Sequence, residues 1–133
     1  MSYLEKKYGL NGKTAIITGG GGTLCGAIAE GFACAGANII LWDIRPDAMK
    51  EKADAIAKVS GDKKKISFVE VNLMDEDSIA KALEKSIKIY GSVEILLNGA
   101  GGNRGKGPLV DVKAEDFDFV LKLNLLAGRS EER

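Results

Sequence analysis

The 133-residue sequence predicts an α/β protein: a single parallel sheet in a three-layer arrangement, helices on both faces, strands in the order 3-2-1-4. Three observations predict it. Short apolar runs alternate four times with segments of helical spacing, the pattern of strands joined by crossover helices. A glycine cluster, Gly19 to Gly22, stands between the first run and the first helix, and an acid, Asp43, closes the second run. Right-handed crossovers leave few arrangements for such units, and the commonest places ligands at the carboxyl ends of the strands.

The elements follow in order. Thr14–Ile17 is the first strand; the helix after the glycines carries Leu24, Ile28, Phe32 and Ala35 along one face and stops at Gly36. The second strand, Ile39–Trp42, ends at Asp43, and Pro46 and Asp47 open a helix with Met49, Ala53, Ile56 and Val59 at core spacing. A third strand, Ile66–Val71, leads to Asp75-Glu76-Asp77-Ser78, whose carboxylates suit a helix N-terminus; Ile79, Leu83, Ile87 and Tyr90 continue the stripe up to Gly91. The fourth strand, Val93–Leu97, runs into a loop from Asn98 to Lys113, and a last helix begins near Ala114. That helix is apolar on more than one face, through Phe117, Phe119, Val120, Leu121, Leu123, Leu125 and Leu126, so something further is expected to pack on it.

Composition narrows the function. The length suits one domain, residues 1–133, without a separate substrate domain. Lys plus Arg and Asp plus Glu each number 19, which gives no electrostatic reason to expect nucleic acid or an anionic membrane as partner. No apolar run is long enough to span a bilayer and the N-terminus lacks the apolar core of a secretory signal, so a cytoplasmic protein is expected. Cys25 and Cys34 fall on opposite sides of one helix, about 13 Å apart along its axis, and cannot pair. With no histidine, a His-based triad and a His-ligated metal are excluded, and two isolated cysteines make no zinc site.

The chemistry lies at the strand ends. Thr18-Gly19-Gly20-Gly21-Gly22-Thr23-Leu24-Cys25-Gly26 joins a strand to a helix, where bare backbone amides can approach a pyrophosphate and the helix dipole favours its charge. For the glycines alone a flexible loop is the competing reading, and the strict G-x-G-x-x-G spacing starting at Gly20 meets Cys25 at its third glycine. Asp43, 21 positions beyond Gly22, can accept hydrogen bonds from ribose hydroxyls and repel a 2′-phosphate, which favours NAD over NADP. Arg45 offers a phosphate partner in the other direction, and a loop acid without ligand is the alternative for Asp43 alone. Asn72-Leu73-Met74-Asp75 and Asn98-Gly99-Ala100-Gly101-Gly102 put small or polar residues at the third and fourth strand ends.

From about Leu10 to Gly128 this set resembles the short-chain dehydrogenases, a Rossmann-type family. The family's Thr-Gly-x-x-x-Gly-x-Gly is similar to Thr18–Cys25, with Thr23 and Cys25 at its second and third glycines. Thr-Gly-Gly-Gly-Gly-x-Leu-Cys, with Leu97–Asn103, resembles the branch of D-mannonate oxidoreductases or fructuronate reductases. The resemblance implies NAD bound by Thr18, Gly19, Gly21, Gly22, Thr23 and Leu24 around the pyrophosphate and by Asp43 and Ile44 at the adenosine. It implies Asn72 and Leu73 beside the adenine, with Asn72 standing where the family has an aspartate. Asn98, Gly99, Ala100 and Gly101 match the family's Asn-Asn-Ala-Gly beside the nicotinamide ribose. Asn124 matches a helix asparagine that holds a proton-relay water; a polar residue filling an interhelical gap is the alternative.

The family's catalytic serine, tyrosine and lysine four residues on have no counterpart, because they follow the helix of Asn124; Ser130 comes too early, and Tyr3-x-x-x-Lys7 precedes the first strand, so that match is coincidence. The chain is therefore expected to be a truncation after the fourth βα unit, binding nicotinamide dinucleotide but inactive alone. A complete enzyme would move hydride to or from a sugar acid, alcohol or ketone. Strand four would be a bare sheet edge, and with the apolar last helix this predicts a homo-oligomer, or capture by a full-length homologue. The alternatives are a non-catalytic nucleotide-binding or subunit-pairing module and another Rossmann-like binder such as a methyltransferase.

Overall fold

In the computed structural model, residues 1–105 and 107–132 are described; Lys106, in the long loop, and Arg133 lie outside them. The order is α1 (Tyr3–Tyr8), β1 (Thr14–Thr18), α2 (Thr23–Cys34), β2 (Asn38–Asp43), α3 (Pro46–Ser60), β3 (Ile66–Glu70), α4 (Glu76–Tyr90) and β4 (Ile95–Leu97). Then come α5 (Ala114–Leu121), a π-helical turn (Lys122–Leu126) and α6 (Ala127–Glu132). All ladders are parallel and the strand order is 3-2-1-4.

Parallel strands are roofed by their own crossover helices, so the central ones read as unbroken apolar runs. All of β1 is buried, as is β2 beyond Asn38. Register sets Ile16 beside Ile40 and Leu96, and Ile17 beside Leu41 and Leu97. Alternation then sends Ala15, Ile17, Ile39 and Leu41 under α2 and α3, and Ile16, Ile40, Trp42 and Val69 under α4 and α6.

The helix faces differ from the sequence reading. In α2 the buried stripe is Cys25, Ala29 and Ala33, small residues that let the helix lie close to the sheet; Ile28 and Phe32 flank it half-buried, and Leu24 is 74% exposed. Gly26 belongs to the same packing, since a Cβ there would run into the Lys52 stem of α3. α3 follows its expected stripe through Met49, Ala53 and Ile56, but Val59 is exposed. α4 buries Ile79, Ala82 and Ser86, while Ile87 stays partly exposed, as does Leu83 on a groove of about 330 Å³ between the helix and the Ile16, Trp42 and Leu96 side of the sheet.

Ser86 is buried because Trp42 needs it: Trp42 Nε1 donates to Ser86 Oγ at 3.0 Å, and the hydroxyl donates to the Ala82 carbonyl at 2.8 Å. Ser86→Ala leaves the indole N–H buried without an acceptor. We expect a loss of about 1–3 kcal/mol, read as a lower urea midpoint with an unchanged slope.

β4 is shorter than expected, because Glu94 leaves the ladder. Its carboxylate accepts the Thr14 N–H at 2.7 Å while its own N–H reaches the Thr14 carbonyl at 3.0 Å, so a side chain closes the end of the sheet. α1 is an element the sequence reading lacked. It is exposed throughout and held by a capping box between Ser2 and Glu5. Tyr3 and Lys7 lie on it, 3.2 Å apart, ahead of the amino end of β1.

Candidate active site: a cleft at the carboxyl edge

The carboxyl ends of all four strands open on one cleft of about 530 Å³. At its base the chain turns at Gly19, whose φ of +67° lies in the left-handed region. A Cβ on Gly19 would stand 2.8 Å from the Gly99 carbonyl oxygen, so the β1 and β4 loops touch backbone to backbone. Thr18 fastens the contact: its buried Oγ1 accepts the N–H groups of Gly99 (2.9 Å) and Ala100 (3.2 Å) and donates to the Leu97 carbonyl (3.3 Å). Gly22 caps α2 with no side chain, and the first-turn amides of Thr23, Leu24 and Cys25 have no helical acceptor.

Asp43 is 7% exposed, so it is no loose surface acid. Its Oδ2 accepts the Gly21 N–H at 3.1 Å and Arg45 Nη2 at 2.9 Å; Oδ1 accepts the Arg45 N–H at 3.1 Å and Nε at 3.0 Å. One carboxylate thus pins the glycine loop and grips the guanidinium with a two-toothed pair. Burial pushes the Asp43 carboxyl up, but the hydrogen bonds and charge of Arg45 and the Gly21 amide outweigh it and hold it below the usual carboxylate range. A carboxylate whose folded pKa is depressed contributes stability above its unfolded pKa and loses it as pH falls through the folded value. Below about pH 4 the thermal midpoint should therefore fall by less in Asp43→Asn than in the unaltered chain, so that the gap between the two, full at pH 7 to 8, closes in acid.

Of the residues expected at a cofactor, Gly19, Gly22, Thr23, Leu24, Asp43 and Ile44 line the cleft from β1 and β2; Asn72 and Leu73 line it from β3, and Gly99, Ala100 and Gly101 from β4. Thr18, Gly21 and Asn98 are not among the lining residues; Thr18 and Gly21 stand behind it, holding the loops just described. Asn72 Oδ1 accepts the Met74 N–H at 3.0 Å, which shapes the β3 turn.

Asn124 lies in the π-helical turn. Its Oδ1 accepts the Gly102 N–H at 3.1 Å, and its Nδ2 donates to the carbonyls of Gly102 (2.7 Å) and Val120 (2.8 Å). Both side-chain hydrogens are thus engaged in clamping the β4 loop to the helix. The sequence reading missed Val71, Phe119 and Leu123 in the cleft wall, to which Cys25 and Met74 from the marked loops also contribute. Phe119 and Leu123 sit four apart on one helical face, a pattern visible in the sequence once one apolar face is given to the cleft. Cys25 Sγ donates to the Gly99 carbonyl at 3.4 Å, and burial first, with the Asp43 charge second, pushes its thiol up. Among the described residues no group of three or more Cys, Asp or Glu is placed to hold a metal ion, and no helix is long and apolar enough to cross a membrane.

A parallel 3-2-1-4 sheet with a glycine turn, an acid after β2 and a clamped glycine loop after β4 can be compared with known proteins. The short chain dehydrogenase family profile matches residues 13–128. The chain belongs to the short-chain dehydrogenase family. It is 36% identical over 117 residues to a 3-oxoacyl-[acyl-carrier-protein] reductase of Thermotoga maritima, covering 87% of this chain and 46% of that protein. An uncharacterized oxidoreductase of the same organism is 31% identical over 116 residues, covering 87% of this chain and 44% of that one. Among solved structures, a citronellol catabolism dehydrogenase of Pseudomonas aeruginosa superposes with a TM-score of 0.84 at 26% identity, over 94% of this chain and 50% of that one. An NAD+-bound xylitol dehydrogenase, at 24% identity, shares the fold with a TM-score of 0.87 over 92% of this chain and 46% of its own. This short-chain dehydrogenase sequence spans about half the length of the relatives it matches.

Proposed function

We propose that the chain is the NAD(H)-binding part of a short-chain dehydrogenase and carries no proton-transfer agent of its own. The observation that carries this reading is the convergence of the glycine turn, buried Asp43 and the Gly99–Gly101 loop on one cleft. The cradle fits a dinucleotide in three respects. The bare backbone at Gly19 and Gly22 leaves room at the α2 terminus, where amide donors and the helix dipole suit a pyrophosphate. Asp43 and Ile44, with Asn72 and Leu73 across the cleft, offer a carboxylate and apolar flanks to an adenosine. Gly99–Gly101, on the far side of β1, would take the nicotinamide ribose.

A bound nicotinamide supplies hydride chemistry. The chain's own residues bind and orient: Thr18 and Asn124 fix the β4 loop from either side, which makes Asn124 a positioning residue in this reading, and Asp43 sets the glycine turn. The substrate is a carbonyl or alcohol compound. The narrower sugar-acid expectation rests on the Thr18–Cys25 and Leu97–Asn103 motifs, and neither relative named above carries such a name. We further infer a cytoplasmic homo-oligomer, supported by the exposed Phe117, Leu121 and Leu125 on the last helices.

Amide NMR tests the reading. NADH should shift Thr23, Leu24 and Gly99 to Gly101 together and leave α1 unmoved, with no oxidation of NADH by added ketones; shifts confined to α1, or substrate reduction by the pure chain, would overturn it.

A further inference from the structure

Gly99, in the loop after β4, has both of its backbone polar groups held by side chains of other elements. Its N–H donates to Thr18 Oγ1 at 2.9 Å, and its carbonyl accepts the Cys25 thiol at 3.4 Å. The two peptide planes that meet at Gly99 are therefore fixed separately, one from β1 through Thr18 and one from α2 through Cys25.

The thiol also takes up space that a side chain on residue 99 would need. A Cβ there would stand 2.3 Å from Cys25 Sγ but 3.6 Å from Cys25 Cβ, so of these two atoms it is the sulfur that fills the place. Cys25 is buried in the core layer beneath α2, and yet it forms part of the cleft wall. A thiol in the first turn of a helix is commonly acidified. Here burial first, and the Asp43 charge second, push it the other way, which keeps the neutral S–H that can donate to a carbonyl. The motif matches already described place a glycine of the family at position 25 and an asparagine at position 99. This chain has the reverse, with the side chain moved from one loop to the other.

We propose that Cys25 is a positioning residue for the nicotinamide end of the cleft: its thiol, in place of a side chain on residue 99, sets the pose of the Gly99–Gly101 loop. This rests on the reading of that loop as the nicotinamide-ribose site. A ligand that reaches the loop then depends on the thiol, and one that ends at the pyrophosphate does not. Positions 25 and 99 are coupled as well, because the sulfur and a Cβ on residue 99 exclude each other.

The experiment titrates the full chain with NADH and with ADP, which stops at the pyrophosphate, and follows amide NMR shifts. Cys25→Ala should weaken NADH by about three- to tenfold, the worth of one neutral hydrogen bond, and leave ADP unchanged. Cys25→Ser, which keeps a small donor in place, should recover most of the loss, a split and a rescue that a merely structural cysteine would not give. Urea midpoints then read the coupling, with Gly99→Ala made both in the unaltered chain and in Cys25→Ala. The Thr18 carbonyl, 2.7 Å from the new methyl, is met in both backgrounds and cancels, whereas the sulfur is met in the first alone. Gly99→Ala should therefore lower the midpoint much less in Cys25→Ala. Unchanged NADH affinity in Cys25→Ala, equal weakening of NADH and ADP, or the same midpoint loss in both backgrounds would each overturn the proposal. No gain of NADH over ADP in the unaltered chain would instead defeat the nicotinamide reading beneath it, and with it the role of the thiol at that end.

Discussion

Asp43→Ala should lower the affinity for NADH by about 10- to 100-fold, the loss of charge-assisted hydrogen bonds of about 1.5–3 kcal/mol. The carboxylate is tied at once to the glycine turn, through Gly21, and to the strand-two loop, through Arg45. Removing it frees the turn from its anchor and takes away the acceptor offered to a ribose. It also releases the guanidinium, which in the intact pair is neutralised by two hydrogen bonds from Nε and Nη2. An unpaired Arg45 at that rim attracts a 2′-phosphate. The same substitution should therefore raise affinity for NADPH relative to NADH, and Arg45→Ala in the Asp43→Ala background should cancel that gain. Competitive fluorescence titration of the two dinucleotides checks both, and an unchanged ratio would sever Asp43 from cofactor choice.

Gly19→Ala should be strongly damaging to the cleft. Two costs add. A left-handed φ of +67° disfavours any Cβ by about 1–2 kcal/mol, and the new methyl would sit 2.8 Å from the Gly99 oxygen and 3.1 Å from the Ala100 Cα. Those are backbone atoms held by Thr18 and cannot rotate away as a side chain would. A total of about 3 kcal/mol is expected, together with loss of NADH binding in the fraction that stays folded. Gly12→Ala separates the two costs, because Gly12 has φ +77° but nothing within 4 Å of its Cβ position. It should lose only the conformational part and keep its NADH affinity. Equal destabilisation by the two variants would show that the loop contact contributes nothing.

The sheet was legible because burial on both faces of β1 and β2 writes itself as unbroken apolar runs, and the crossover rule then orders the strands. What the sequence concealed has physical causes. The α2 face was misread because its buried stripe is made of Cys25, Ala29 and Ala33, which hydrophobicity ranks below Ile28 and Phe32 although close packing needs them small. β4 lost Val93 and Glu94 because a side chain took over the ladder's end, a substitution with no periodic signature. At the site, most of the residues singled out after the strands line one cleft, but the division of labour among them depended on distance. Thr18 and Gly21 serve the loops from behind, Asn124 spends its amide on Gly102, and Arg45 is gripped by Asp43.

If the strand-end cleft of this chain is a dinucleotide site, equilibrium titration with NADH, followed by nicotinamide fluorescence, reads it without any substrate. Saturable binding is expected, with Kd in the micromolar range or weaker, displaced by ADP-ribose and weakened by Asp43→Ala. A folded chain that shows no saturable, displaceable NADH signal at millimolar ligand would contradict it.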